Sequence, residues 1–187
     1  MLDTSHRCTR QTSERRKNLW SNVQVIRAVI FDLDGTLIHL PVNYEKLFEE
    51  FKKIMKTNTV RPVTDIVARL DETTKKKVFK VWDAAELEAL PKMSINEEGA
   101  KLYEKFSPKP KALVTMQGKA VAEKILQTTK FSFKIIITRE HSLNRIEQLQ
   151  KAAEMLGVKP QEILFIGDAE NDSASARKFG CKFLKVG

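Results

Sequence analysis

The chain has 187 residues, which suffices for one domain or for one domain that carries an insertion. Hydrophobic residues make up 42% of it and charged residues 30%, and no apolar run approaches the ~20 residues of a membrane span. A net charge of +9 is compatible with nucleic acid, a membrane surface or a small anionic substrate as partner. Because no nucleic-acid-binding signature is present and the lysines are dispersed, we expect a solvated basic surface and neither a nucleic-acid nor a membrane partner.

The first 24 residues are polar and lack the apolar core of a secretory signal. Their Arg and Ser content is compatible with an organellar transit peptide, whereas Asp3 and Glu14 argue against one. We expect a disordered basic extension over 1–24, or a start codon assigned too far upstream, and give the segment no function. Cys8 and Cys181 lie far apart in the sequence, so we expect no disulfide and a reducing cytoplasm.

A buried strand is predicted over 28–31, directly before Asp32, Asp34 and Gly35. Side chains two positions apart in a strand share a face, but strand geometry ends at Gly35, so the turn decides how the two acids are aimed. Two carboxylates at the end of a buried strand are costly unless they are neutralised, and an oxygen-preferring divalent cation would neutralise them. On these residues alone, an acidic turn without a metal is an equally good interpretation.

A helical block is predicted between Pro41 and Pro108. Apolar residues recur at spacings of three and four over 44–55 and over about 64–90, where a polar stretch indicates two helices. Ser94 and Glu97 have the spacing of a capping box and predict the start of a further helix. We therefore expect one all-helical insertion, whose basic residues lie mostly on its solvated face.

The second predicted strand, 112–115, ends in the hydroxyl of Thr115 and is followed by Gly118 and a helix. Free N–H groups and the helix dipole favour an anion at such a junction. Thr115 is therefore a candidate phosphate ligand, with a structural cap as the alternative interpretation.

Two further strands are predicted, and each is followed by candidate site residues. The strand over 133–138 precedes a helix that ends at Gly157, and the strand over 163–166 precedes Asp168 and Asp172. These two acids, four residues apart at a strand-to-helix junction, form a second acidic pair, although Asp172 is also a candidate N-cap.

Strands alternate with helices from residue 28 to a last predicted strand at 182–186. This alternation is typical of an α/β fold with a Rossmann-like parallel sheet and right-handed crossovers. Sites in such sheets lie at the carboxyl ends of the strands, and the candidate groups all follow such ends.

The sequence Asp32-Leu33-Asp34-Gly35-Thr36 resembles the first motif of the haloacid dehalogenase (HAD) superfamily, most of whose members are phosphatases. Thr115 resembles the second motif, and Asp168 with Asp172 resembles the fourth. The third motif is one Lys or Arg. Counting back twelve residues from Gly157 gives Arg145, followed here by Ile where many relatives have Lys-Pro, and Lys151 and Arg139 are the alternatives.

The resemblance covers residues 25–187 and implies a HAD core over 25–40 and 109–187. The helical block over 41–108 corresponds in place and character to a small α-helical cap. Among the members of the superfamily, the chain is most similar in character to those that resemble phosphoglycolate phosphatases.

The resemblance also implies a Mg²⁺-dependent phosphatase that hydrolyses a small phosphorylated metabolite through an aspartyl-phosphate. Asp32 would be the nucleophile and Asp34 the acid and base; dehalogenases of the superfamily lack this second acid. The remaining site residues divide into two groups. The metal would be held by Asp32, the backbone carbonyl of Asp34 and Asp168, with Asp172 further out, and the phosphoryl group by Thr115, Arg145 and Gly35.

A sugar-phosphate mutase and a non-catalytic, regulatory phospho-binding protein are the alternative functions. A response-regulator receiver domain also combines an acidic pair, a Thr and a basic residue. It would lack a helical insertion after the first strand, and its phosphorylated acid would end a middle strand. The sequence leaves open the identity of the substrate and the choice between monomer and homodimer.

Overall fold

The computed structural model describes residues 25–187 and is built on a five-stranded parallel sheet. The sheet has the spatial order β5-β4-β1-β6-β7, and a separate antiparallel pair is formed by β2 and β3. The predicted α/β fold with a parallel sheet is therefore confirmed, whereas the predicted extension over 1–24 lies outside the described residues. The strands are β1 Ala28–Phe31, β2 Ile38–His39, β3 Ser94–Ile95, β4 Lys111–Val114, β5 Ile135–Ile137, β6 Ile163–Gly167 and β7 Lys182–Lys185.

Strand β1 lies at the centre of the sheet, between β4 and β6. Its four side chains are inaccessible to solvent, which explains why the sequence is an unbroken apolar run instead of an alternating one. Val29 and Phe31 pack into one apolar cluster and Ile30 into the other, because successive strand residues point to opposite faces. Helices therefore cover both faces of the sheet.

The helical elements follow the predicted periodicity, but the block expected to be all helical also contains the short strand β3, and two helix boundaries are shifted. The polar stretch after Asp71 is not a linker but the first turns of a helix, because the Asp71 side chain accepts a hydrogen bond from Thr74 N at 2.9 Å and caps it. The break falls instead at 69–71. The α-helices are α1 Tyr44–Met55, α2 Val63–Ala68, α3 Glu72–Ala89, α4 Glu97–Lys105, α5 Lys119–Thr128, α6 Arg145–Leu156 and α7 Glu170–Phe179.

Helix α4 begins at a different cap from the one predicted. Ser94 pairs with His39 in the β2–β3 ladder, and Asn96 caps the helix by accepting hydrogen bonds from Glu98 N and Gly99 N at 3.0 and 3.2 Å. The prediction of Ser94 as the cap is wrong because pairing with a distant strand competes with the local capping motif.

The N-cap interpretation of Asp172 is also not the arrangement observed. Helix α7 has Ala169 at its N-cap, and Asp172 lies in the first turn, with its side chain directed to the sheet edge. This position leaves the carboxylate free to contact side chains from other elements.

Within residues 25–187, no helix has the length and apolar character that crossing a membrane requires.

Candidate active site

The carboxyl edge of the sheet carries three of the predicted site residues. Asp32 follows β1, Thr115 follows β4 and Asp168 follows β6, and these strands are neighbours. The ladder continues into this edge, since Asp32 N donates to Ile166 O and Thr115 N to Ile137 O, each at 2.9 Å. Regular strand pairing therefore fixes the backbone from which these side chains project.

A tight turn follows Asp32 and depends on Gly35. Gly35 N donates to Ile38 O at 2.7 Å, and Leu37 N donates to Leu33 O at 2.8 Å. Gly35 has a φ of 83°, and a Cβ atom there would collide with the Asp168 carboxylate. The glycine thus allows both the left-handed backbone and the close approach of Asp168, while its contact with a phosphoryl group stays a prediction.

Helix α4 supports the same turn, which the sequence did not indicate. Asn96 Nδ2 donates to Gly35 O at 2.9 Å while its Oδ1 caps the helix. A Cβ atom on Gly99 would collide with the Thr36 carbonyl, so the helix lies directly against the turn. A cap signal at Asn96 was readable in the sequence, but its contact with Gly35 was not.

Three aspartates form a compact acidic cluster at this edge. Asp32, Asp168 and Asp172 each place one carboxylate oxygen within 4.8 Å of the other two. Burial raises the pKa of Asp32 well above its ordinary value, and the neighbouring acids raise it further, although Arg145 opposes the shift. Burial likewise raises the pKa of Asp172. Three converging, partly desolvated carboxylates are a donor set that fits a hard divalent cation such as Mg²⁺.

Arg145 is the predicted third-motif residue that contacts the acidic cluster. Its Nη2 donates to Asp32 Oδ1 at 2.7 Å, and its Nε lies 3.0 Å from Asp172 Oδ1. Both contacts are buried. The two alternatives lie elsewhere: Lys151 is exposed on α6, and Arg139 is buried against helix α3.

Sequence reasoning missed Gln148, which joins Arg145 to Thr115 at the end of β4. Its Oε1 accepts from Arg145 Nη1, and its Nε2 donates to Thr115 O and to Ser142 O, all at 2.9 Å. The side chain is completely buried. A lone Gln in a helical pattern carries no signal of this kind, so only the tertiary contacts identify it.

Thr115 is buried, and its hydroxyl is engaged by the residues that follow it. Gln117 N donates to Thr115 Oγ1 at 3.1 Å, and the hydroxyl itself contacts the Gln117 side chain. The loop therefore folds back over the hydroxyl that the sequence predicts as a phosphate ligand.

Asp34 lies apart from the cluster of three acids. Its Oδ1 accepts a hydrogen bond from Leu40 N at 2.8 Å. Burial raises the pKa of Asp34, the Leu40 N–H opposes this effect, and the negative charge of Asp168 adds to it. A carboxyl whose pKa is raised in this way holds a proton more readily than an ordinary aspartate does.

Comparison with known proteins gives one family. Residues 29–186 match the family described as haloacid dehalogenase-like hydrolase. Among curated proteins, the pyrophosphatase PpaX of Bacillus cereus (strain G9842) is 28% identical over 184 residues, which covers 86% of this chain and 83% of that protein.

Solved structures share the fold. A haloacid dehalogenase-like hydrolase from Streptococcus pneumoniae superposes with a TM-score of 0.64 at 17% identity and covers 87% of this chain and 85% of its own. A family enzyme from Bacteroides thetaiotaomicron, determined in complex with magnesium and inorganic phosphate, superposes with a TM-score of 0.53 at 16% identity. It covers 87% of this chain and 94% of its own.

Proposed function

The chain belongs to the haloacid dehalogenase-like hydrolase family, and we propose that it is a Mg²⁺-dependent phosphatase that hydrolyses a small phosphomonoester through an aspartyl-phosphate. The observation that carries this proposal is the cluster of Asp32, Asp168 and Asp172 with Arg145 against Asp32. A carboxylate nucleophile, a metal-binding acid set and a cation for phosphoryl oxygens are the components that this chemistry requires.

Asp32, Asp168 and the backbone carbonyl of Asp34 would hold the metal, with Asp172 further out. When bound, Mg²⁺ supplies positive charge that offsets the repulsion between the acids and a phosphate dianion. The magnesium and phosphate bound by the Bacteroides thetaiotaomicron enzyme support this choice of ion.

The proposed reaction has two displacement steps at phosphorus. An Asp32 carboxylate oxygen forms a bond to phosphorus while the bond to the leaving oxygen breaks, and Asp34 donates its proton to that oxygen. Asp34 then takes a proton from water, whose oxygen attacks phosphorus, so that phosphate leaves and the Asp32 carboxylate is restored. The raised pKa of Asp34 supports its role as the proton carrier.

Arg145 and Thr115 would bind the transferring phosphoryl group. Arg145 is held in place by Gln148, so its guanidinium would meet the phosphoryl oxygens without losing further side-chain freedom. A fixed cation at this position stabilises the charge that the phosphoryl oxygens carry in the transition state.

Inorganic pyrophosphate is a second candidate substrate. The curated relative at 28% identity is named a pyrophosphatase. The reaction steps are the same, with phosphate as the leaving group.

We also propose the organisation and setting that the sequence predicts. The core comprises 25–40 and 109–187, and the cap comprises 41–108. The chain acts in the cytoplasm as a monomer or a homodimer.

The test is release of inorganic phosphate from a panel of phosphomonoesters and from pyrophosphate, with and without Mg²⁺. We expect metal-dependent release by the native chain, none by Asp32→Asn, and native activity from Glu123→Gln, a matched substitution of an exposed acid. Absence of release by the folded, metal-loaded native chain contradicts the proposal. Formation of a phosphate isomer instead would favour the mutase alternative.

A further inference from the structure

Arg139 follows β5 and is buried, although it does not take part in the acidic cluster. Its Nη1 donates to Glu86 Oε1 at 2.8 Å and its Nη2 to Glu86 Oε2 at 3.0 Å, and Nη2 also contacts Asp83. A buried guanidinium is costly unless it is paired in this way. Helix α3 thus supplies both acids that neutralise a cation from the sheet edge.

One face of α3 encloses the guanidinium group. The Arg139 Cζ atom lies 4.5 Å from the centroid of the Trp82 ring and 5.6 Å from that of Phe79. Phe79, Trp82, Asp83 and Glu86 are spaced at three and four along the helix, so they share a face. Two aromatic rings and two acids on one helical face form a pocket that matches the planar guanidinium group.

The ion pair between Arg139 and Glu86 also holds the loop that follows Thr115. Arg139 Nη1 donates to Met116 O at 2.9 Å, and Gly118 N donates to Glu86 Oε2 at 3.4 Å. A Cβ atom on Gly118 would collide with the Asp83 carboxylate, so the loop lies directly against α3. The peptide groups of 116–118 are therefore tied to an ion pair between two different elements.

We propose that Arg139, held by Glu86, is a positioning residue for the loop over 116–118. By fixing the Met116 carbonyl it orients the peptide group between Met116 and Gln117, and the N–H of that same group donates to Thr115 Oγ1. The inference rests on the proposed function, in which Thr115 binds the phosphoryl group. Through this ion pair, helix α3 and the loop over 116–118 form one unit, so loss of the pair alters phosphate affinity.

The experiment compares Arg139→Met, Arg139→Lys and Glu86→Gln with Phe51→Leu. Phe51 is buried on α1 with its ring centroid 5.5 Å from that of Trp82, so its substitution loosens the same helical packing without touching the loop. Two quantities are measured on the full chain: amide hydrogen exchange at 116–118 without phosphate, and the Kd of inorganic phosphate with Mg²⁺.

We expect Arg139→Met to speed exchange at 117–118 and to weaken phosphate binding, each by about tenfold, the scale of losing one charged hydrogen bond. Arg139→Lys keeps the charge without the planar fork and should recover part of both quantities. Phe51→Leu should lower the free energy of unfolding and leave both quantities at their native values. If Arg139→Met does not fold, Arg139→Lys and Glu86→Gln carry the same comparison.

Native exchange and native phosphate affinity in folded Arg139 and Glu86 variants would overturn the inference. Faster exchange with unchanged affinity would equally overturn it, since the loop would then be ordered by Arg139 without consequence for phosphate. A native chain that binds no phosphate with Mg²⁺ contradicts the proposed function instead, and the exchange comparison alone then decides whether Arg139 orders the loop.

Discussion

Arg145 donates from Nη2 to Asp32 Oδ1 over 2.7 Å, and both side chains are buried. The bond joins the first residue after β1 to the first residue of α6. Because Arg145 also lies 3.0 Å from Asp172, one cation serves two members of the acidic cluster. Its charge offsets part of the repulsion that the buried acids exert on one another.

Replacing Arg145 by Met should reduce kcat/KM for phosphate release by about 10²–10³, the usual effect of losing one transition-state donor. Lys at 145 should retain more activity than Met because it keeps the charge. Steady-state kinetics on the best substrate measure both.

Lys151→Met is the matched control, since Lys151 lies exposed on the same helix. It should leave kcat/KM unchanged. A larger loss from Lys151→Met than from Arg145→Met would show that Arg145 is not the third-motif cation.

Gln148→Leu should lower both stability and activity. The substitution leaves the Thr115 and Ser142 carbonyls and Arg145 Nη1 without their buried partner, and each unsatisfied group costs about 1–3 kcal/mol. Urea unfolding and phosphate release give the two readouts.

Gln150→Leu tests whether the effect of Gln148→Leu comes from the site. Gln150 is exposed on α6, and among the described residues its side chain forms a hydrogen bond only with Glu154. It should change the free energy of unfolding by no more than about 0.5 kcal/mol. Equal losses in both variants would contradict a specific role for Gln148.

Gly35→Ala should abolish stabilisation by Mg²⁺. The alanine is forced into a left-handed backbone at a cost of about 1–2 kcal/mol, and its Cβ atom displaces the Asp168 carboxylate. Thermal unfolding with and without Mg²⁺ measures the loss.

Gly157→Ala separates the cost of the left-handed backbone from the effect of displacing Asp168. Gly157 has a φ of 65°, but among residues 25–187, its two chain neighbours aside, no atom would lie within 4 Å of a Cβ atom there. This variant should show the backbone cost and keep the full response to Mg²⁺. If both variants lost that response, displacement of Asp168 would not be the reason.

The metal-free chain should become less stable as the pH rises from about 5 to about 7.5. Burial raises the pKa of Asp32, Asp34 and Asp172, and it raises that of Glu86 to about 7. The folded chain therefore keeps protons that the unfolded chain releases first, so the free energy of unfolding falls by about 1.4 kcal/mol per unit of raised pKa.

Urea unfolding at several pH values, with Mg²⁺ removed by a chelator, measures this dependence. Glu86→Gln should flatten part of the decline, and Mg²⁺ at about 100 times its Kd should restore about 2.7 kcal/mol near pH 7.5. Stability that rises with pH in the metal-free chain would contradict the raised pKa values.

The parts of the fold that follow from local pattern were predictable. The apolar runs before Asp32, Thr115 and Asp168 gave the central strands, because a strand buried on both faces leaves an unbroken hydrophobic segment. The spacing of the motifs pointed to Arg145, whose side chain contacts Asp32. Both signals depend on residues that are close together in the sequence, so a single sequence is enough to recognise them.

What depended on distant partners was not predictable. Ser94 satisfied the capping-box spacing, yet it pairs with His39 in the β2–β3 ladder, and Asn96 is the N-cap of α4 instead. Gln148 and Glu86 occupy helical positions that a pattern reads as solvated polar residues. Their burial is decided by Arg145 and Arg139, which approach from other elements.

The β2–β3 ladder has a consequence for how such a protein changes over evolution. It pairs Ile38 with Ile95, so the two ends of the segment over 40–93 lie side by side. A segment whose ends lie side by side is an exchangeable module. Insertion, deletion or replacement within it leaves the acidic cluster in place. Arg139 limits this exchange, because its charge is neutralised by acids within the segment over 40–93. A replacement segment must therefore supply acids to Arg139, or residue 139 must change as well.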